Sequence, residues 1–179
     1  MSKIGKRPIP LNKATVNVQG TMLTVTGPKG EVTHELHEDL SIVQEDNKLF
    51  ITVKKRFKGS SAVWGLHRAL LANKVKGVEQ VFTKNVRIHG LGYKAQPVGN
   101  KLVFSLGYSH KVEFVVPDDV KVQIDKTGQQ LEFSSIDKFA LGNACDAVRL
   151  LKLPEPYKGT GIIRQGDVIV RKAGKAKGA

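Results

Sequence analysis

The chain has 179 residues, 40% of them hydrophobic, which is enough for a packed core and excludes wholesale disorder. No apolar run approaches the ~20 residues of a helical membrane span, and the basic start Met1-Ser2-Lys3-Ile4-Gly5-Lys6-Arg7-Pro8 has no apolar stretch behind it, so no signal peptide is expected. A net charge of +13 and a single cysteine, Cys145, exclude an internal disulfide and point to an anionic partner in a reducing cytoplasm.

In chain order, residues 15–18 and 22–26 are short runs rich in β-branched residues, joined by a turn at 19–21. Gly27-Pro28-Lys29-Gly30 is a strong turn signal, after which residues 31–36 and 48–53 resume strand patterning. The period then changes. Ala62, Val63, Leu66, Ala69 and Leu70 recur at steps of three and four, which predicts an amphipathic helix with that stripe buried. Lys74 and Lys76 suit its C-terminal end, and Gly77 is the expected stop.

The plan then repeats. Strands are expected at 86–91, 102–106, 112–116, 120–124 and 131–134, with a turn at 97–100. Asp137 or Ser134 is placed to cap a second helix, whose buried stripe would be Leu141, Ala144, Val148 and Leu151. Pro154 ends it, because the residue before a proline is pushed out of helical geometry. At an offset of 80, Gly27 pairs with Gly107, Val32 with Val112, Asp39 with Asp119, Leu40 with Val120 and Ile42 with Val122. Beyond an insertion near Gly128 the offset is 82, and Leu49 meets Leu131, Ile51 meets Phe133, Phe57 meets Phe139 and Ala62 meets Ala144. The chain is therefore expected to be an α+β protein of two similar small domains from an internal duplication, each an antiparallel sheet with one packed helix. The boundaries are 1–82, 83–152 and a basic tail at 153–179.

The cations are clustered. Residues 1–13 carry four and no acid, Lys54, Lys55, Arg56 and Lys58 add four, and residues 153–179 add a net four, leaving the rest almost neutral. Self-repulsion would penalise such clustering unless a polyanion offset it, and the pI near 9.9 fits a nucleic-acid binder. In the tail, Pro154-Glu155-Pro156 forbids a helix, and the segment is expected to be presented outward rather than folded into a core. Tyr157 suits stacking on a base, and Lys158 and Arg164 suit phosphates. Gly159 and Gly161 would let main-chain N–H groups approach the nucleic-acid backbone. Lys3, Lys6 and Arg7 form a second basic arm.

Other chemistry is weakly supported. Gly90-Leu91-Gly92 lacks the third glycine and the following helix of a dinucleotide loop, so a tight bend displaying Tyr93 and Lys94 is expected. Of five histidines only His34 and His37 are close, and on a strand they would face opposite ways, which leaves no metal set. Asp118-Asp119 follows Pro117 as in a turn, and Cys145 lies beside the buried helical stripe as a packing residue. No catalytic site and no cofactor are expected. The competing reading is a free-standing nucleic-acid-binding or regulatory interaction module.

The segments Arg68-Ala69-Leu70, Gly77-Val78, Gly90-Leu91-Gly92-Tyr93-Lys94-Ala95 and Ser105-Leu106-Gly107-Tyr108-Ser109-His110 resemble the bacterial-type large-subunit ribosomal protein six family. The most specific match is Pro154-Glu155-Pro156-Tyr157-Lys158-Gly159, and the resemblance covers essentially the whole chain. It implies two similar α+β domains and a structural, non-catalytic role in the large ribosomal subunit, in the cytoplasm. It further implies binding to large-subunit rRNA near the sarcin–ricin loop and the translation-factor site, with ribosomal proteins near the stalk base as neighbours, no membrane and no homo-oligomer. By the same resemblance Tyr157, Lys158, Gly159 and Gly161 would meet rRNA, with Lys172, Lys175 and Lys177 trailing along it. The chain departs from the family pattern at Thr160, where lysine is usual, and at Ile163-Arg164, where arginine and then an aromatic are common.

Overall fold

The computed structural model describes residues 2–55 and 57–175. It divides into two compact units, Met1–Phe82 with Ile136–Lys138, and Thr83–Ser135 with Phe139–Ala179. Both follow one α+β plan of two small antiparallel sheets and a helix, as the duplicated sequence predicts.

In the first unit, β1 (Ile9–Pro10), β6 (Lys48–Val53) and β5 (Leu40–Glu45) form one sheet in the order β1-β6-β5. β2 (Thr15–Gln19), β3 (Met22–Gly27) and β4 (Gly30–Glu35) form the other in chain order. Alternation decides which side faces inward: Leu23 and Val25 on β3 and Leu49 and Ile51 on β6 are buried, while Met22, Thr26 and Thr52 are exposed. Helix α1 (Ser60–Glu79) packs on β3, β4 and β6, and the Trp64 indole N–H donates to the Ile51 carbonyl at 2.7 Å.

Two helix expectations are corrected. The stripe α1 buries is Leu71, Val75 and Val78, with Val63 of the expected set packed partly buried against the core, whereas Leu66 is 54% exposed and Leu70 40%. On so long a helix, spacing of three and four residues picks out more than one line, and packing chooses among them. Gly77 does not stop the helix, which continues through Glu79. A Cβ on Gly77 would lie 2.1 Å from the Ile136 carbonyl oxygen, so glycine there permits close approach of another segment.

In the second unit β8 (Lys94–Val98), β9 (Lys101–Ser105) and β10 (Val112–Val115) form a three-stranded sheet. Pro97 lies on its edge strand β8, where a missing N–H is tolerated. The second sheet has the order β11-β12-β7-β13, from β11 (Val120–Ile124), β12 (Gln130–Ser135), β7 (Phe82–His89) and β13 (Gly161–Arg164). Helix α2 (Lys138–Leu150) buries Leu141, Ala144, Cys145 and Val148. Leu151, expected in that stripe, lies beyond the helix and is half-buried.

Strand β13 overturns the expectation that the whole tail is presented outward. It pairs antiparallel with β7, Gly161 opposite His89 through Arg164 opposite Val86, and Ile162 is 0% exposed. The physical reason is the open edge of β7, whose backbone groups would otherwise lack partners, together with the apolar pair Ile162-Ile163.

Candidate nucleic-acid interface

The tail's basic tip is a closed loop. The Glu155 N–H donates to the Thr160 carbonyl and the Gly159 N–H to the Glu155 carbonyl, each at 2.9 Å. The Thr160 hydroxyl donates to Glu155 Oε2 at 3.1 Å. Tyr157 and Lys158 stand at the crest of this loop, both exposed. The chain then returns to it: the Lys172 N–H donates to the Pro156 carbonyl at 3.0 Å. A Cβ on Gly159 would meet the Arg171 guanidinium at 3.0 Å, so that side chain lies over the loop. One ring and three cations, Lys158, Arg171 and Lys172, are thereby gathered around one turn, the chemistry that phosphates and bases require.

The glycines act differently from the sequence expectation. The Gly159 N–H is already donated within the loop, and Gly161 sits in the β13–β7 ladder. Both have positive φ, +70° and +145°, and a Cβ on Gly161 would lie 2.7 Å from the Pro154 Cα. They shape the protein's own loop rather than present free main-chain donors.

Arg164 is held internally. Its guanidinium bonds Asp146 and donates to both Asp167 carboxylate oxygens at 3.3 Å. Arg149 Nε lies 3.2 Å from Asp167 Oδ2, an ion-pair distance without hydrogen-bond alignment. The hydrogen bonds from Arg164 hold the Asp167 carboxyl below the usual carboxylate range, and the same bonds raise the Arg164 pKa. The effect is a strut that ties the end of β13 to α2 with its charge compensated.

Sequence reasoning missed a second aromatic feature of this unit. The Tyr108 hydroxyl donates to the Leu151 carbonyl at 3.2 Å, and Lys152 Nζ lies 4.2 Å from the Tyr108 ring centroid. The His110 ring lies nearly parallel to Tyr108, with centroids 6.0 Å apart. The Ile162 N–H donates to the Lys152 carbonyl at 2.9 Å, so this cluster sits where the tail leaves α2. The signal available was the aromatic pair two residues apart in Gly107-Tyr108-Ser109-His110, followed by Lys111.

The other basic segments belong to the first unit. Lys3, Lys6 and Arg7 are exposed on an arm folded against α1: a Cβ on buried Gly5 would clash with the Trp64 ring. Arg68 donates to the Arg7 and Pro8 carbonyls at 3.1 and 2.9 Å. Lys54, Lys55 and Lys58 are exposed, and Arg56 lies outside the described residues. In the tail Lys175 is exposed, and Lys177 also lies outside the described residues.

The remaining candidates resolve into packing. Tyr93, expected on display with Lys94, is half-buried between Gly90 and Gly107, and Lys94 is exposed. The fold gathers three histidines that the sequence scatters. His34 and His67 ring nitrogens lie 3.1 Å apart, and His37 is 6.4 Å from His67 between centroids. Among the described residues no group of three or more His, Cys, Asp or Glu is placed to hold a metal ion. Burial, with Lys74 and His67 adding to it, lowers the His34 pKa to about 4. Cys145 is buried and its thiol pKa is raised by that burial, as suits a packing residue. No helix of the described residues is long and apolar enough to cross a membrane.

Comparison with known proteins gives one consistent answer. The model of the family described as "Ribosomal protein L6" matches residues 9–81 and 89–165. The "Large ribosomal subunit protein uL6" of a Picosynechococcus species is 43% identical over 177 residues, covering 98% of this chain and 98% of that protein. The protein of the same description from a Synechocystis species is 44% identical over 176 residues, with 98% of both covered.

Proposed function

Because this chain belongs to the ribosomal protein L6 family, we propose that it acts by binding large-subunit rRNA through the loop crest at Tyr157 and Lys158. It is a structural constituent of the large ribosomal subunit, and the family is not one of enzymes. The finer reading places the contact near the sarcin–ricin loop and the translation-factor site, with ribosomal proteins of the stalk base as neighbours. It follows the resemblance carried by Pro154-Glu155-Pro156-Tyr157-Lys158-Gly159.

The observation that carries the rRNA reading is the return of the chain onto its own turn, which sets Arg171 and Lys172 beside Lys158 and the exposed Tyr157 ring. A preformed loop contacts RNA without the ordering cost of a floppy tail. Its cations neutralise phosphates, Tyr157 stacks, and Gly159 and Gly161 contribute by holding the turn. Arg164, compensated by Asp146 and Asp167, acts mainly by anchoring the segment. Lys172, Lys175 and Lys177 extend the contact, and Lys3, Lys6 and Arg7 supply a further basic surface on the first unit. We read residues 1–82 and 83–152 as the two scaffolds, and 153–179 as the contacting segment rooted in the second.

The test is the salt dependence of binding to large-subunit rRNA. Each phosphate contact contributes a slope of about −0.9 in log K against log salt for a duplex. Lys158→Ala with Lys172→Ala should flatten the slope by about two while leaving thermal unfolding unchanged. A double variant with the wild-type slope and affinity would overturn the assignment of the tail.

A further inference from the structure

We propose that Tyr108 and His110 form a platform on which one unpaired RNA base stacks, a contact that rests on the rRNA-binding reading and adds to it a site outside the tail. Tyr108 is 44% exposed and His110 is exposed, yet the two rings are held within 18° of parallel. The Tyr108 ring is fixed at both ends. Its hydroxyl is tied to Leu151, and its loop turns at Gly107, whose φ is +75° and whose missing Cβ admits the Tyr93 hydroxyl at 2.8 Å. A surface ring tethered in this way backs the His110 ring with less side-chain freedom left to lose on binding.

The surroundings select the ligand. Residues 106–111 and 151–154 carry Lys111 and Lys152 and no acid, and Lys152 already lies over the Tyr108 ring. With Lys152 over Tyr108, an unpaired base stacks on the exposed His110 ring, which lies nearly parallel to Tyr108, while its phosphate meets these ammonium groups, which is how single-stranded RNA is held without regard to sequence. The hydroxyl of Tyr108 is used internally, so recognition here is by the ring face rather than by hydrogen bonding to a base edge.

The full-length protein is titrated with large-subunit rRNA over a range of salt, and the RNA is probed chemically in the complex. His110→Ala, a substitution at an exposed ring, should weaken binding roughly 5- to 150-fold. The slope of log K against log salt should stay at its wild-type value, and one unpaired base should gain reactivity. His110→Phe should restore both affinity and protection, since it keeps a stacking face. Tyr108→Leu should reproduce the loss, and its unfolding curve checks that the Leu151 tie is dispensable to the fold. Wild-type affinity and protection in His110→Ala would overturn the platform while leaving the tail reading intact. So would a loss accompanied by a flatter slope, which would make the contact one to phosphate. Failure of the wild-type chain to bind rRNA at any salt would sink the rRNA reading, and this site with it.

Discussion

The two units share a plan and differ at one sheet edge. In the first, β1 is two residues long and ends at Pro10, and beside it Arg68 reaches from α1 to the carbonyls of Arg7 and Pro8. In the second, β7 is eight residues long and accepts β13 from the tail along its free edge. A duplicated module with a long exposed edge strand carries a liability, and pairing that edge with the chain's own tail removes it. The same pairing positions Tyr157 and Lys158. Completion of the second unit's sheet and the proposed RNA contact therefore share one segment of chain.

The severest way to break this comparison is truncation after Leu151. Loss of β13 strips the β7 edge and uncovers the site of Ile162. Ile162→Ala alone should cost about 2–5 kcal/mol, and removal of the strand should cost more. The single tryptophan, Trp64, reports on the first unit, so its fluorescence transition should hold while amide exchange along β7 accelerates. An equal shift of both would mean the units do not differ in this respect. Truncation is thus a poor test of RNA contact, because it damages the scaffold as well.

Acid should act on the first unit instead. His34 has a folded pKa of about 4, below its ordinary 6.5, so the unfolded chain binds more protons between those values. Stability from this group is present above about pH 6.5 and is lost as pH falls toward 4. Unfolding followed at Trp64 should show the decline, and His34→Gln should flatten it. A pH-independent Trp64 transition from 7 to 4 would contradict the buried histidine pair.

The two helices give a smaller contrast with opposite signs. Alanine exceeds glycine in helix propensity by about 1 kcal/mol. At Gly142 in α2 a Cβ would meet only Lys84 Nζ, at 3.9 Å, so Gly142→Ala should stabilise by up to about 1 kcal/mol. At Gly77 in α1 a Cβ would lie 2.1 Å from a backbone oxygen, and overpacking of that kind costs about 1–3 kcal/mol or more. Gly77→Ala should therefore destabilise by about 1–2 kcal/mol. Thermal melts of the two variants moving in the same direction would refute the close approach.

How far the sequence carried these conclusions depended on the range of the interaction. Alternation over three to six residues located β2, β3, β4, β6 and most of the second copy, because local side-chain period sets which face is buried. The offset of 80 to 82 residues exposed the duplication directly. β1, β5, β8 and β13 were missed: β1 and β13 are two and four residues long and defined by the strand they pair with rather than by their own pattern, and Pro97 near the end of β8 reads as a turn. The tail's composition disclosed a basic segment broken by proline and glycine. Its closure through Glu155, Thr160 and Lys172 was hidden, since those are backbone bonds that any residue types can make. Arg164 read as a free cation because its partners Asp146 and Asp167 lie on either side of it in sequence, and one of them is on α2.

The smallest expected effect tests which line of α1 faces inward. Leu66 and Leu70 were placed on the buried stripe by periodicity, and the fold leaves them about half and two-fifths exposed while Leu71 is fully buried. Leu66→Gln should change stability by less than about 0.5 kcal/mol, as for an ordinary surface substitution. Leu71→Ala should cost about 2–5 kcal/mol, the range for removing a large apolar side chain from a packed core. Both variants start from leucine and end in a good helix former, so propensity contributes at most a few tenths of a kcal/mol and the difference reports mainly burial. Equal losses at Leu66 and Leu71 in a denaturant titration read at Trp64 would mean that α1 is rotated about its axis relative to the arrangement described.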